Sequence, residues 1–145
     1  MHFHLAIVLP RDARSVGTNR RLVDEALRSL GVDAGCREDL QPIITEACTN
    51  VIDHARDGVD YEVRVDIDAE TCTIEVADDG RDTAMPEMSA SSADLMSESG
   101  RGLFIIGALA DTLQFQPREP HGLLLRAVKT LTWQAPAPTR PAANA

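Results

Sequence analysis

Basic residues are few in this sequence, in which 14 Lys and Arg stand against 23 Asp and Glu and give a net charge of −9. Binding to the phosphates of nucleic acid rests on clustered cations. The charge balance therefore argues against direct nucleic-acid binding and leaves proteins and small molecules as the favoured partners.

Long hydrophobic runs are also lacking. The longest apolar run near the N-terminus covers residues 5–9 and ends at Pro10. This run is far shorter than a signal-peptide core or a membrane span. We therefore expect a cytoplasmic protein that does not bind membranes.

Cysteines are sparse, odd in number and widely spaced, at Cys36, Cys48 and Cys72. Cys48 lies on the apolar stripe of a predicted helix, and Cys72 alternates inward on a predicted strand. This placement favours small buried side chains over disulfides or zinc ligands.

The length and hydrophobic content indicate one domain. A chain of 145 residues with 43% hydrophobic content can build one core but is too short for two. We expect the domain to cover residues 1–133. Residues 134–145 are too rich in Pro and Ala to pack, so they are expected to form a disordered tail.

The most strongly patterned stretch is residues 40–55. Its apolar residues recur at spacings of three and four, which is typical of an amphipathic helix packed on a core. Glu46, Asn50 and His54 lie four apart along one edge of this stripe, where one ligand can meet all three. Alternatively, Glu46 and His54 are solvated flanking residues and Asn50 is incidental. Asn is a poor residue for a helix interior, so a functional reason for Asn50 is expected.

Hydrophobic periodicity predicts the other elements. In chain order they are a strand at 3–9, a helix at 14–30, a helix from Asp33 to about Arg56 kinked at Pro42, strands at 61–67 and 72–76, a helix at 103–110, and strands at 113–116 and 122–131. Asp12 or Ser15 can cap the first helix, and Gly31 can end it. This order predicts a two-layer α/β sandwich, with a mixed, mostly antiparallel sheet and the helices on one face.

Residues 78–99 are predicted to form a long loop, with one short motif at its start and a second motif directly after it. Residues 78–80, Asp-Asp-Gly, directly follow a predicted strand and place a carboxylate at the sheet edge, although an ordinary turn is the alternative. Gly100 and Gly102 precede the last helix, where free backbone amides attract an anion such as phosphate, although a flexible hinge explains them equally well. Long loops in compact domains are usually functional. Together with the Asn50 helix, these features predict a nucleotide site with a lid formed by residues 81–99.

The sequence resembles the anti-sigma-factor serine kinases of the histidine-kinase-like ATPase (GHKL) superfamily over residues 3–131. Residues 45–55, Thr-Glu-Ala-Cys-Thr-Asn-Val-Ile-Asp-His-Ala, resemble the N box of that family. Residues 78–80 resemble its first glycine box, and residues 100–103 resemble its second. The motifs occur in the order found in the family, so the resemblance implies a histidine-kinase-like ATPase fold.

By this resemblance, Glu46 is the catalytic base and Asn50 coordinates Mg²⁺. Asp78 receives the adenine amino group of ATP, and backbone amides around Gly100 and Gly102 hold its phosphates. The other cofactor-binding residues that the resemblance implies are His54, Gly80, Arg101 and Leu103.

The resemblance implies a kinase that binds a sigma factor and phosphorylates a serine of an anti-sigma factor antagonist, and it leaves a homodimer open. Asp82 stands where the first glycine box of the family often has a second glycine, and Leu123 stands where its last strand often has Thr. These departures favour the alternative, a non-enzymatic module that sequesters its partner. We do not expect the ATPase fragment of a histidine kinase, because no helical phosphoacceptor segment precedes the first strand.

Overall fold

The computed structural model describes residues 1–54, 60–78, 98–118 and 122–135. Within these ranges the helices and strands are, in chain order, β1 (His2–Pro10), α1 (Ala13–Leu30), α2 (Ala34–His54), β2 (Asp60–Asp68), β3 (Thr71–Asp78), α3 (Glu98–Leu109), β4 (Thr112–Pro117) and β5 (Leu123–Thr130).

The five strands form one sheet in the order β1-β2-β3-β5-β4. All four pairings between described strands are antiparallel, and β1 and β4 are the two edge strands. The prediction of a two-layer α/β sandwich with the helices on one face is confirmed, because the helices and the inner face of the sheet share one hydrophobic core.

Alternation along the strands produces this two-sided sheet. On β2, the side chains of Tyr61, Val63, Val65 and Ile67 are buried, while those between them face outward. The same alternation buries Cys72, Ile74 and Val76 on β3. On the outer face, Arg64, Glu75 and Arg126 stand next to one another across three strands. Opposite charges placed side by side in this way suit a face that lies in water.

Helix α1 begins and ends where the sequence predicts. Of the two predicted caps, Asp12 is the one used, and its carboxylate accepts a hydrogen bond of 2.7 Å from the backbone N of Arg14. Gly31 ends the helix with a φ of 97°, a left-handed conformation that favours glycine. Ser15 is instead buried inside the protein.

Helix α2 is the long helix that the sequence predicts, and it continues through Pro42. Its start is stabilised by Asp33, whose side chain accepts a hydrogen bond of 2.8 Å from the backbone N of Cys36. The helix packs against both α1 and α3 and also contacts β3 and β5. Helix α2 therefore lies at the centre of the helical layer and contacts both other helices and the sheet.

Two boundaries differ from the prediction or extend it. Helix α3 begins at Glu98 and not at residue 103, so both glycines of the second glycine motif lie inside its first turns. At the other end of the chain, Gln134 donates a hydrogen bond of 2.8 Å to the backbone O of Gly31, and Trp133 forms a β-bridge with Val32. The rest of the predicted tail, residues 136–145, lies outside the described residues.

No helix in the described part of the chain is long and apolar enough to span a membrane. Cys36, Cys48 and Cys72 are all buried, as predicted.

Candidate nucleotide-binding site

Glu46 and Gly102 meet where α2 packs against α3. The half-buried Glu46 side chain occupies the space beside Gly102, where a Cβ atom would lie only 2.5 Å from Glu46 Oε2. A side chain at residue 102 would therefore displace this carboxylate. The structure thus brings together the candidate base of the N box and a glycine of the second glycine motif, two residues that are 56 positions apart in the sequence.

Asn50 follows Glu46 by one turn of α2 and is only 7% exposed. A carboxamide at this position can offer an oxygen ligand to a cation. Mg²⁺ prefers oxygen ligands and usually keeps several waters, binding through few protein groups together with substrate phosphates. Asn50 fits such a role, and the described residues contain no cluster of three or more His, Cys, Asp or Glu side chains that could hold a metal ion by themselves.

Asp78 is the last residue of β3 and is 1% exposed. It follows the inward alternation of Ile74 and Val76, so its side chain belongs to the face of the sheet covered by the helices. Helix α2, which carries Asn50, packs directly against β3. Asp78 and Asn50 therefore lie on two elements that pack against each other, where the helices cover the sheet.

A buried polar network that the sequence reasoning missed lies beside these residues. The Tyr61 hydroxyl, on β2 directly opposite Asp78, lies 2.6 Å from Ser15 Oγ. It also interacts with the Cys48 thiol, to which Asn19 donates a hydrogen bond of 3.5 Å. The network joins α1, α2 and β2. Its member on α2, Cys48, lies two residues before Asn50.

Burial keeps this network neutral. It raises the pKa of the Cys48 thiol to about 12 and the pKa of Tyr61 to about 12. Neither group ionises near neutral pH, so the network serves to fix geometry rather than to transfer protons. The available sequence signal was the spacing of Ser15 and Asn19 on the apolar face of α1, since two polar residues four apart on such a face need partners.

The C-terminal end of α2 is held by a residue that precedes α1. Arg11 Nη2 donates a hydrogen bond of 2.6 Å to the backbone O of Ile52, one of the carbonyls that lack a partner inside the helix. A cation at a helix C-terminus is also favoured by the helix dipole. Arg11 therefore stabilises the part of α2 that follows Asn50.

The start of α3 limits which amides can meet an anion. The N–H groups of the N-cap residue and of the first three helical residues have no partner within an α-helix, and in α3 these first three helical residues are 98–100. Gly100 is thus the member of the motif with an available amide, while Arg101 and Gly102 lie deeper in the helix. The Arg101 side chain is exposed, and Leu103 packs against the core.

Several predicted features lie outside the described residues. These are Gly80, Asp82 and the side chain of His54. Of the lid predicted at residues 81–99, residues 81–97 also lie outside the described residues. Leu123, the other departure from the family pattern, is described and is 3% exposed.

The fold and these motifs define an ATPase-like domain. The family model described as the histidine kinase-like ATPase domain matches residues 9–129. Because this match covers most of the chain, the protein belongs to that family.

The curated relatives that match are named serine-protein kinase RsbW. The protein from Halalkalibacterium halodurans is 29% identical over 136 residues, which cover 88% of this chain and 83% of the relative. The protein from Bacillus pumilus is 30% identical over 121 residues, which cover 74% of this chain and 75% of the relative. Among solved structures, the histidine kinase AdeS of Acinetobacter baumannii aligns with 88% of this chain and 68% of that chain, at 13% identity and a TM-score of 0.47.

Proposed function

We propose that this protein is an ATP-dependent serine kinase that binds a sigma factor and phosphorylates a serine of an anti-sigma factor antagonist. Its similarity over most of its length to proteins named serine-protein kinase supports the reaction type. The resemblance of its motifs to those of anti-sigma-factor kinases supports the two protein partners.

The contact between Glu46 and Gly102 carries this proposal. It places a carboxylate beside the first turns of α3, whose free amides and dipole attract phosphate. A carboxylate at that position can accept the proton of an attacking serine hydroxyl. General bases of this kind must lie within hydrogen-bond reach of the proton that they remove.

The other residues bind and orient the nucleotide. Asp78 would accept a hydrogen bond from the adenine amino group, the amide of Gly100 would hold a phosphate oxygen, and Asn50 would hold the Mg²⁺ ion. When bound, Mg²⁺ neutralises phosphate charge, which together with positioning provides most of the catalysis in phosphoryl transfer. Leu103 anchors α3 in the core and so keeps its first turn in place.

The alternative function is a binding module without kinase activity. It is favoured by Leu123, which contributes a buried apolar side chain where the family pattern has a hydroxyl. Such a module would sequester its partner through its surface alone.

Two measurements on the purified full-length chain test these functions. Calorimetric titration with ATP, with and without Mg²⁺, is expected to give saturable binding that is tighter with the ion. Incubation with ATP, Mg²⁺ and a candidate antagonist is then expected to give phosphoserine detectable by mass spectrometry. Absence of ATP binding would overturn the proposal, and binding without phosphoserine on any antagonist that forms a complex with the protein would favour the module.

A further inference from the structure

Arg118, the residue directly after β4, is hydrogen-bonded to the end of β3. Its Nη1 atom donates a hydrogen bond of 2.8 Å to the backbone O of Asp78, a residue 40 positions earlier in the chain. The guanidinium is half-buried, so this bond is partly shielded from water. A hydrogen bond from a charged donor is among the stronger ones in proteins.

The bond occurs where the regular sheet ends. The β3–β5 ladder stops at the pair Ala77 and Leu124, one residue before Asp78. Beyond that point β5 no longer supports β3 on this side, and Arg118 provides the donor for the Asp78 carbonyl. Arg118 therefore holds the backbone of Asp78, the candidate adenine-binding residue, where the β3–β5 ladder no longer does so.

The backbone of Arg118 is itself held in place. Its N–H donates a hydrogen bond of 3.0 Å to the backbone O of Gly122, which closes the turn between β4 and β5. Gly122 has a φ of 108°, a conformation that favours glycine. A fixed backbone means that only the side chain of Arg118, and not its backbone, loses conformational entropy when the guanidinium binds Asp78.

Arg118 approaches Asp78 from the face of the sheet opposite the helices. It lines a cavity of about 80 Å³ together with outward-facing residues of β2, β3 and β5: Glu62, Arg64, Glu75, Ala77 and Leu124. The Asp78 side chain belongs to the other face. Arg118 thus binds the backbone of Asp78 from the outer face of the sheet, whereas the carboxylate lies on the inner face.

We infer that Arg118 is a positioning residue for nucleobase recognition: it fixes the backbone of Asp78 so that the carboxylate meets the adenine amino group in one orientation. This inference rests on the proposed function, since it assumes that the Asp78 carboxylate accepts a hydrogen bond from the adenine amino group. A carboxylate held in place discriminates between bases, whereas one on a frayed strand end can turn to avoid a mismatched group.

The test compares ATP with inosine triphosphate (ITP), which has a carbonyl oxygen where ATP has the amino group. In the full-length protein, Arg118→Gln is expected to weaken ATP binding about tenfold, equivalent to about 1.4 kcal/mol, and to leave ITP binding unchanged. The ratio of the two affinities therefore falls. Arg118→Lys, which keeps a charged donor, is expected to restore part of the ratio.

Arg126→Gln is the matched control, because Arg126 is an exposed cation on the same face of the neighbouring strand. This variant is expected to keep the wild-type ratio. An Arg118→Gln protein that loses ATP and ITP affinity equally, together with thermal stability, would show a merely structural role and overturn the inference. So would a variant that keeps the full preference for ATP.

The wild-type protein separates this inference from the proposed function. If it binds neither nucleotide, both fail. If it binds ATP in preference to ITP and Arg118→Gln keeps that preference, only the positioning role of Arg118 is wrong.

Discussion

Glu46 fills the space that Gly102 leaves on the facing helix, so that a Cβ atom at residue 102 would lie 2.5 Å from the Glu46 carboxylate. Separations below about 3 Å do not occur at real Cβ atoms, so one of the two groups must move if a side chain is added. The carboxylate is the end of a flexible side chain and will move first. A glycine at 102 therefore leaves room for the Glu46 carboxylate in its present position.

Gly102→Ala is expected to displace Glu46 without unfolding the protein. Misplacing a catalytic group by about 1 Å can cost roughly 10²-fold in rate, so the rate of serine phosphorylation should fall by about that factor while ATP remains bound. The measurement is a phosphorylation time course at saturating ATP.

Gly107→Ala is the control for this variant. Gly107 lies in the same helix, and a Cβ atom there would meet no other atom within 4 Å. Alanine at a compatible helical position stabilises by about 0.4–1 kcal/mol, and the kinase rate should not change. Equal rates for the two variants would mean that the fit between Glu46 and Gly102 has no functional role.

Asp78→Asn tests the adenine contact. The substitution keeps the shape of the side chain and removes the charge, so ATP binding should weaken by about 1.5–3 kcal/mol, the range for a hydrogen bond to a charged group. Calorimetric titration with ATP measures the change, and Asp60→Asn, at an exposed position in β2, should have no effect. An unaltered ATP affinity in Asp78→Asn would show that Asp78 does not bind the adenine of ATP.

Tyr61→Phe tests the buried network through its pH dependence. Because the pKa of Tyr61 is raised from 10 to about 12 in the folded protein, the folded state keeps its proton at pH values where the unfolded state has lost it. The free energy of unfolding therefore falls as pH rises from about 10 to about 12. The variant lacks this ionisation, so its loss of stability with alkaline pH should be shallower.

The same variant should also be less stable at neutral pH, by about 1 kcal/mol for the lost hydrogen bond to Ser15. Denaturant unfolding at a series of pH values checks both effects. Parallel curves for the variant and the wild type would show that Tyr61 does not contribute to the alkaline loss of stability.

Local signals were sufficient to predict most of the fold. The spacing of apolar residues gives α1 and α2, the period-two alternation gives β2 and β3, and Asp12 and Gly31 mark the ends of α1 because their chemistry satisfies helix ends wherever the helix lies. These features depend on residues close together in sequence.

The start of α3 could not be predicted in this way. Two glycines lower the intrinsic helix propensity of residues 98–102, which favoured a start at residue 103. In the folded protein Gly102 allows close packing against α2, and tertiary packing supplies most of the stability of a short helix. The contact with Glu46 depends on residues far apart in sequence, so propensity alone does not reveal it.

The candidate site was predicted only as a set of residues. Glu46, Asn50 and Asp78 were predicted as site residues from their types, their order and the family resemblance, but the residues that hold them in place were not predicted. Tyr61 and Arg118 act through partners 46 and 40 residues away, and nothing in their local sequence indicates those partners.

Glu46→Gln shows whether Glu46 is the general base of a kinase. The amide keeps the size of the side chain and loses the basicity, so the rate of serine phosphorylation should fall by about 10²- to 10⁴-fold, the usual contribution of a general base. ATP affinity should remain at the wild-type level, and Glu38→Gln, at an exposed position of α2, should keep the full rate. Phosphorylation by Glu46→Gln at the wild-type rate would contradict the account.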